Sequence, residues 1–291
     1  MIGPDAFAYV GAAAAVPEQV VCYVTAVADS NPVMAGSCIG YRSGPDFVMV
    51  GYPIHDPADE RSMADAVGEA LRIPGIGRIT VIGPGRPPQA PAGSVVSEDY
   101  YSFLPVPPPP PRQKLRNMLR RAEREVTVEK SRDWEEEHSA LARHYIENRP
   151  LDPGTAHIFS NIPGYLDACP GSLIFSARSS SGRLAAFSIG EFGSLSTAFY
   201  MFSFRDPESA PPGSTDLLLS ALIEEAGARG HTRVNLGLRV NEGVGFFKGK
   251  WGEGERLRCV QVSWEVRHDS IWKRLRGFVS TRKGGCSDER G

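Results

Sequence analysis

Apolar residues recur at intervals of three and four in several segments, a spacing typical of helices that bury one face. The clearest example spans residues 213–230, where the apolar stripe comprises Leu219, Leu222, Ile223 and Ala226. Similar patterns predict helices over residues 56–72, 112–124 and 134–148, and a shorter helix over 158–169. Glycines and prolines between these segments mark turns.

Short apolar runs bounded by Gly, Pro, Asn or Asp predict strands. In the first third of the chain these runs cover residues 20–28, 34–41, 47–52, 78–82 and 99–104. In the remainder they cover residues 126–130, 172–177, 184–192, 197–204, 233–238 and 257–266. The three strands between 172 and 204 are separated by short turns and predict an antiparallel meander. The mixture of elements places the chain in the α/β (α+β) class.

Five consecutive prolines, at 107–111, mark the strongest predicted domain boundary. A proline run favours the extended polyproline II conformation and acts as a semi-rigid spacer, although it can also serve as an SH3-type ligand. We therefore predict a small N-terminal α/β domain over 1–105, a linker over 106–111 and a C-terminal domain over 112–270. A short helix, at 271–278, and a polar tail complete the chain to residue 291.

The composition narrows the possible partners. The formal net charge of −2 excludes attraction of the whole surface to nucleic acid or to an anionic membrane, so such binding would need a local patch. No apolar run is long enough to span a bilayer, and we expect a cytoplasmic protein that does not bind DNA. The five cysteines form no C-x-x-C pair, which predicts free thiols and neither a disulfide framework nor a metal site. They are Cys22, Cys38, Cys169, Cys259 and Cys286.

The predicted helix after the prolines carries basic residues at every fourth position. Its apolar stripe comprises Leu115, Met118, Leu119 and Ala122, and its arginine row comprises Arg112, Arg116, Arg120 and Arg124. The row has two interpretations: a solvated helix face, or a surface that binds phosphate through planar guanidinium groups. In the second case Arg116, Arg120 and Arg121 would bind a polyphosphate cofactor, a nucleotide-linked substrate or a tRNA.

Two segments resemble a known family. The segment Phe247-Lys248-Gly249-Lys250-Trp251-Gly252, which follows a helix and a strand, is similar to a motif that closes the active site of Fem-like enzymes. The basic helix over 112–124 is similar to one in the same enzymes. Together they identify residues 112–265 as resembling the Fem-like, peptidyl and aminoacyl transferase branch of the GNAT acyltransferases.

The resemblance implies a GNAT-like mixed sheet, in two tandem units of which the N-terminal one is smaller and degenerate. In such a sheet two central strands splay apart, here 197–204 and 233–238, and the acyl donor lies in the gap. The implied reaction moves an acyl group from acyl-CoA, or an aminoacyl group from aminoacyl-tRNA, to a small-molecule or peptide amine. Holding the two reactants together can lower the barrier by about 7–11 kcal/mol.

The segment before the 213–230 helix departs from the phosphate loop of coenzyme A-dependent GNAT enzymes. Only Gly213, Ser214 and Thr215 remain as anion binders at the start of the helix. The two prolines before them lack N–H donors, and Asp216 would repel phosphate. This departure favours the Fem-like branch, although Ser214, Thr215 or Asp216 could serve as a plain helix cap.

The resemblance implies that Lys248 would neutralise phosphate or developing oxyanion charge, although it could also be an exposed lysine on a loop. Tyr200, on the strand expected to bind the donor, would act as an acid or hydrogen-bond donor, and Glu191, on the preceding strand, would be the general base. Predicted substrate contacts comprise Asn235, Gly237, Phe247 and Trp251, although Asn235 could be satisfied by backbone and the two aromatics could be core residues. The rival interpretation is a non-catalytic GNAT-like module that binds a nucleotide or RNA through the 112–124 helix.

Overall fold

The computed structural model describes residues 4–252 and 254–266. The helices are α1 Pro4–Ala12, α2 Val21–Ala28, α3 Glu60–Ala70, α4 Gln113–Glu125, α5 Glu136–Glu147, α6 Pro153–Ser160, α7 Ile162–Ala168, α8 Ser214–Ala228 and α9 Glu242–Gly249. The strands are β1 Asn31–Ala35, β2 Cys38–Ser43, β3 Asp46–Val50, β4 Arg78–Gly83, β5 Val95–Pro105, β6 Val126–Ser131, β7 Ser172–Ser179, β8 Leu184–Glu191, β9 Thr197–Arg205, β10 Arg233–Leu238 and β11 Arg256–Glu265. The α/β class is confirmed.

Within the described residues all strands join one sheet, in the order β1-β2-β3-β4-β11-β5-β10-β9-β8-β7-β6. The sheet continues across the proline run, because β5 precedes the run and pairs with β10, which follows it. The last strand, β11, returns to pair with β4 and β5. The two halves of the chain therefore contribute strands to one sheet. The limits of the predicted domains stay a prediction.

The predicted meander is confirmed, since β7, β8 and β9 pair in antiparallel succession. Helix α8 then carries the chain over one face of the sheet, and β10 runs parallel to β9. The α8 stripe packs with buried residues of the sheet that include Phe175, Val234 and Leu236. The opposite face of the meander is covered by α5, α7 and α2 around Tyr165 and Phe199. Apolar burial on both faces fixes these strands in the core.

Strands β9 and β10 pair over only a short stretch. The parallel ladder joins Thr197 to Arg233 and ends where Phe199 meets Asn235. Beyond this point β9 continues to Arg205 and β10 to Leu238 without pairing to each other. The predicted splay is confirmed, and it opens a crevice at the carboxyl ends of the two strands.

Four local predictions were wrong. Residues 20–28 form the helix α2 instead of a strand, because a short apolar run has no periodicity that separates the two. Residues 34–41 fold back at Gly36, whose φ of 54° makes the turn of a hairpin between β1 and β2. Residues 158–169 divide at Asn161 into α6 and α7. The segment that carries Lys248, expected as a loop, forms α9.

The expectation of free thiols is also corrected. Cys22 of α2 and Cys169, just after α7, form a disulfide with Cα atoms 5.6 Å apart. They are separated by 147 residues, so the pairing follows from the packing of α2 on α7 and not from any local spacing. Cys38 and Cys259 are free and buried. Cys286 and the helix predicted over 271–278 lie outside the described residues.

Candidate active site

Helix α9 lies across the crevice and contacts both diverging strands. The Lys248 Nζ donates to the carbonyl oxygens of Gly237 and Leu238 on β10, at 2.6 Å each. One residue earlier, Phe247 stacks on Tyr200 of β9, with ring centroids 6.1 Å apart and planes at 19°. The motif that the sequence singled out therefore bridges the gap between the two strands.

The turn that leads into α9 explains the glycines of this segment. Asn241 caps the helix by accepting from the Val244 N–H at 2.9 Å. The Arg239 side chain packs against Gly245, where a Cβ would lie 2.3 Å from its Nε. The Asp99 carboxylate of β5 accepts from the backbone N–H groups of Arg239 and Val240 at 3.2 and 3.0 Å. These contacts hold the start of α9 against the end of β10.

The residues after α9 are held by a buried carboxylate. Asp216, in the first turn of α8, is 2% exposed. It accepts from Lys250 Nζ at 2.6 Å and from the Trp251 indole N–H at 3.2 Å. Trp251 thus lies in the core, with its polar atom paired. The negative charge of Asp216 is balanced by Lys250, so this ion pair joins the first turn of α8 to the residue after α9.

Burial sets the electrostatics of Lys248. Its side chain is 7% exposed, and desolvation lowers its pKa to about 8, with the charge of Asp99 acting in the opposite direction. Lys248 lines a cavity of about 390 Å³ together with Arg112, Arg239 and Arg256. No acidic residue is among the described residues that line it. The cavity therefore has the charge and the donors to bind a phosphate-bearing ligand.

None of these three arginines was named as a predicted site residue, although Arg112 belongs to the predicted arginine row. Arg112 is the N-cap of α4, Arg239 follows β10, and Arg256 begins β11. They come together because β5 and β11 lie beside β10, and sequence spacing alone carries no sign of that neighbourhood.

The predicted phosphate-binding arginines lie along the exposed face of α4. Arg116, Arg120 and Arg121 are all exposed, and Arg121 also pairs with Glu125 at 2.9 Å. Arg112, at the N-terminal end of the same helix, lines the cavity. The arginine row therefore leads from the cavity along the helix surface.

The start of α8 is covered. Gly213 has a φ of 91°, and a Cβ there would lie 2.7 Å from Cγ of Met118 on α4. Ser214 is 2% exposed, and its hydroxyl donates to the Pro211 carbonyl oxygen at 2.7 Å. Thr215, the next residue, is half-buried. An anion at this helix end would have to displace the side chain of Met118.

Tyr200 and Glu191 lie on opposite faces of the sheet. Gly190 pairs with Tyr200, whereas Glu191 pairs with Phe199. The Tyr200 hydroxyl faces α8 and α9 and lies 3.2 Å from Ser188 Oγ, and burial raises its pKa to about 12. Glu191 is on the face of α7. The structure thus packs Tyr200 against Phe247, the neighbour of Lys248 on α9, and places Glu191 on the opposite face of the sheet from Tyr200, and the chemical roles of all three stay predictions.

Asn235 is completely buried, and both ends of its carboxamide are used within the chain. Its Nδ2 donates to the Ala15 carbonyl oxygen at 2.9 Å, and its Oδ1 accepts from the Gly237 N–H at 2.8 Å. Gly237 has a φ of 78°, a conformation that glycine adopts without strain. These contacts shape the end of β10 so that the Gly237 carbonyl oxygen faces Lys248.

The pKa of Lys248 predicts how the acyl transfer expected from the sequence resemblance should depend on pH. If the ammonium form acts, the initial rate should fall as pH rises through about 8, because the buried group then loses its proton. The same shift makes the folding free energy more favourable with rising pH between about 8 and the ordinary value of 10.5, since the unfolded chain there holds more protons. Initial rates normalised to intact donor ester would measure the first effect. A rate that stays level up to pH 9.5 would contradict a cationic role.

Within the described residues, no helix combines the length and apolar character needed to cross a bilayer. The same residues contain no cluster of three or more His, Cys, Asp and Glu side chains that could bind a metal ion.

Comparison with solved structures supports the fold assignment. The structure of L-PGS from Bacillus licheniformis superposes with a TM-score of 0.57 at 14% identity, covering 89% of this chain and 95% of that one. FemX superposes with a TM-score of 0.58 at 11% identity, covering 93% and 96%. A tandem GNAT protein from the clavulanic acid biosynthesis pathway gives 0.50 at 14% identity, covering 80% and 79%. These likenesses confirm the GNAT-like and tandem character of the fold.

No curated protein sequence matches the chain. One family model does, that of the phosphatidylglycerol lysyltransferase C-terminal region, over residues 110–279. This match takes in the arginine row, the splayed strands and α9. Because it covers more than half of the 291 residues, the chain belongs to the phosphatidylglycerol lysyltransferase C-terminal family and is related to aminoacyl transferases.

Proposed function

We propose that this chain transfers an aminoacyl group from the 3′ ester of an aminoacyl-tRNA to a nucleophilic acceptor. The observation that carries the proposal is the position of Lys248, buried on the helix that bridges the diverging strands β9 and β10 and lining a basic cavity beside β10, β5 and β11. The acceptor expected from the sequence is an amine of a small molecule or peptide. The name of the matched family suggests a second acceptor, the glycerol hydroxyl of phosphatidylglycerol, which the assay below includes.

In the proposed reaction the acceptor attacks the ester carbonyl carbon, and the ribose oxygen leaves with the proton that the acceptor loses. Negative charge develops on the carbonyl oxygen in the transition state. Lys248 and backbone N–H groups beyond the end of the β9–β10 ladder would stabilise this charge. The Tyr200 hydroxyl, on the same face, would donate a proton or a hydrogen bond to the leaving oxygen.

Two features favour a tRNA ester over a coenzyme A thioester as donor. At the start of α8 the site for a cofactor pyrophosphate is covered by Met118, and Pro211 and Pro212 offer no N–H donors. On α4 the arginine row extends from the cavity for about 18 Å, at 1.5 Å per residue from Arg112 to Arg124. A row of this length can contact several successive phosphates of an acceptor stem.

The test is a transfer assay with the purified chain and a pool of radiolabelled aminoacyl-tRNAs. Vesicles containing phosphatidylglycerol and a set of soluble amines are offered as acceptors, and labelled acetyl-CoA serves as the alternative donor. We expect label to move from tRNA to an acceptor and not from acetyl-CoA. Transfer from acetyl-CoA alone would overturn the donor assignment. Binding of tRNA without any acceptor-dependent loss of the ester would favour the rival, non-catalytic module.

The arginine row predicts a specific salt dependence of tRNA binding. Removing Arg116 and Arg120 together should lower the slope of log affinity against log salt by about 1.5, since each lost phosphate contact removes about 0.7–0.9. Affinity measured by fluorescence anisotropy over a range of salt concentrations would show this change. The matched control is Arg143→Ala on α5, an equally exposed arginine on the other side of the sheet, which should leave the slope unchanged. An unchanged slope in the double variant would remove α4 from the tRNA surface.

A further inference from the structure

A second cavity, of about 650 Å³, lies on the face of the sheet opposite Lys248. It opens where α1 and α2 pack over the end of β8 and the start of β1. Its lining is mostly apolar and includes Ala8, Ala12, Val20, Val21, Pro32 and Pro170. It shares no lining residue with the Lys248 cavity. It is therefore a separate compartment, large enough for a small organic ligand.

The wall of this cavity contains a buried carboxylate. Glu191 is 2% exposed, and it accepts from the Tyr165 hydroxyl at 3.0 Å and the Gly193 N–H at 2.9 Å. Gly171 lies so close that a Cβ there would be 2.1 Å from Oε1. Backbone therefore encloses the carboxylate on this side.

The charge of Glu191 has only partial compensation. Its hydrogen-bond donors, the Tyr165 hydroxyl and backbone N–H groups, are neutral, and burial raises its pKa. Arg132 acts on it at a distance, but the Arg132 guanidinium itself donates to the carbonyl oxygens of Leu166 and Ser172, at 2.7 and 3.1 Å. A buried carboxylate without a full counter-charge is stabilised most by a cationic hydrogen-bond donor that binds beside it.

A second polar atom of the same wall also lacks a partner. The hydroxyl oxygen of Ser30 is buried and makes no hydrogen bond to any described residue. Buried hydroxyls are almost always paired, and an orphan that lines a cavity indicates a missing ligand or water. Glu191 and Ser30 thus independently indicate a ligand that brings hydrogen-bond donors into an otherwise apolar cavity.

We infer that this cavity binds a small organic ammonium, that is, a primary amine carried on an apolar body. The ammonium pairs with Glu191, and the apolar body contacts the alanine, valine and proline side chains of the wall. The site does not depend on the proposed aminoacyl transfer. It assigns Glu191 to ligand binding on the face away from Lys248 rather than to proton abstraction in the crevice.

The test uses three ligands of equal length with the full chain: hexylammonium, hexanol and hexanoate. Calorimetry and thermal shift should show hexylammonium binding at least tenfold more tightly than hexanol, and hexanoate not binding. Glu191→Gln should remove the advantage of the amine over the alcohol. Lys248→Met should leave hexylammonium binding unchanged, because Lys248 does not line this cavity. The binding test can therefore succeed or fail independently of the proposed aminoacyl transfer.

A filling variant provides the steric test. Gly11 of α1 lines the cavity, and a Cβ there meets no atom within 4 Å. Gly11→Leu should therefore abolish binding of both hexylammonium and hexanol. Gly164 on the exposed side of α7 is equally open, and Gly164→Leu should bind as the unchanged chain does. Equal affinity for all three ligands, or full hexylammonium binding by Gly11→Leu, would overturn the inference, even if Glu191→Gln fails to fold.

Discussion

Replacing Lys248 by methionine should lower aminoacyl transfer about 100-fold, which corresponds to a loss of about 2.7 kcal/mol of transition-state stabilisation. The ammonium group is held at the end of β10 by its bonds to the carbonyl oxygens of Gly237 and Leu238. A hydrogen bond from a charged donor contributes about 1.5–3 kcal/mol when its partner develops charge. Single-turnover transfer from bound aminoacyl-tRNA would isolate this step.

The same replacement should change the melting temperature little. Methionine removes the desolvation cost of a buried charge, and it also leaves two carbonyl oxygens without a donor, so the two effects oppose each other. Lys114→Met is the matched control, because Lys114 is exposed on α4 and lies outside the cavity lining. Unchanged transfer by Lys248→Met would exclude Lys248 from the reaction, and a melting temperature lower by about 10 °C or more would make its role structural.

The largest effect on stability is expected at Lys250. The Asp216 carboxylate is 2% exposed, and Lys250→Met removes its charged partner and leaves the Trp251 indole as its remaining side-chain donor among the described residues. Removing one partner of a buried ion pair costs about 3–5 kcal/mol, and the partial exposure of Lys250 puts the expected loss at the lower end, about 3 kcal/mol. That loss should lower the melting temperature by about 6–12 °C.

A second variant separates the ion pair from simple packing. Asp216→Asn keeps an acceptor for the Trp251 N–H and removes the charge, so adding it to Lys250→Met should restore more than half of the lost stability. Thermal unfolding followed by circular dichroism would measure both steps. Should Lys250→Met alone melt within about 2 °C of the unchanged chain, α9 would not depend on this pair.

Periodic elements were predictable from the sequence, and contacts between distant segments were not. The stripe of α8 and the turns of the meander are local patterns, and both elements appear where they were expected. Residues 20–28 lacked such a pattern, and their helical state is decided by packing against α7. The splay between β9 and β10 came from family resemblance, since no spacing of residues within either strand encodes where a ladder ends.

The candidate site divides in the same way. Lys248 and Phe247 belong to one short motif, so their proximity to the crevice could be predicted. Arg112, Arg239 and Arg256 reach the same cavity from three separate parts of the chain, because β11 returns beside β5. The sequence analysis assigned Glu191 and Tyr200 to one site, but they lie on opposite faces of the sheet. Successive residues of a strand point to opposite faces, and Glu191 pairs with Phe199, the residue before Tyr200. This register between β8 and β9 cannot be derived from the sequence of either strand.

The most direct test of the central claim is a crystal structure with a hydrolysis-resistant amide analogue of aminoacyl-adenosine. We predict that its carbonyl oxygen lies between the diverging ends of β9 and β10, within hydrogen-bonding distance, about 3 Å, of Lys248 Nζ or a backbone N–H there. An analogue bound only on the Glu191 face, or an empty crevice with β9 and β10 paired beyond Phe199 and Asn235, would contradict the account.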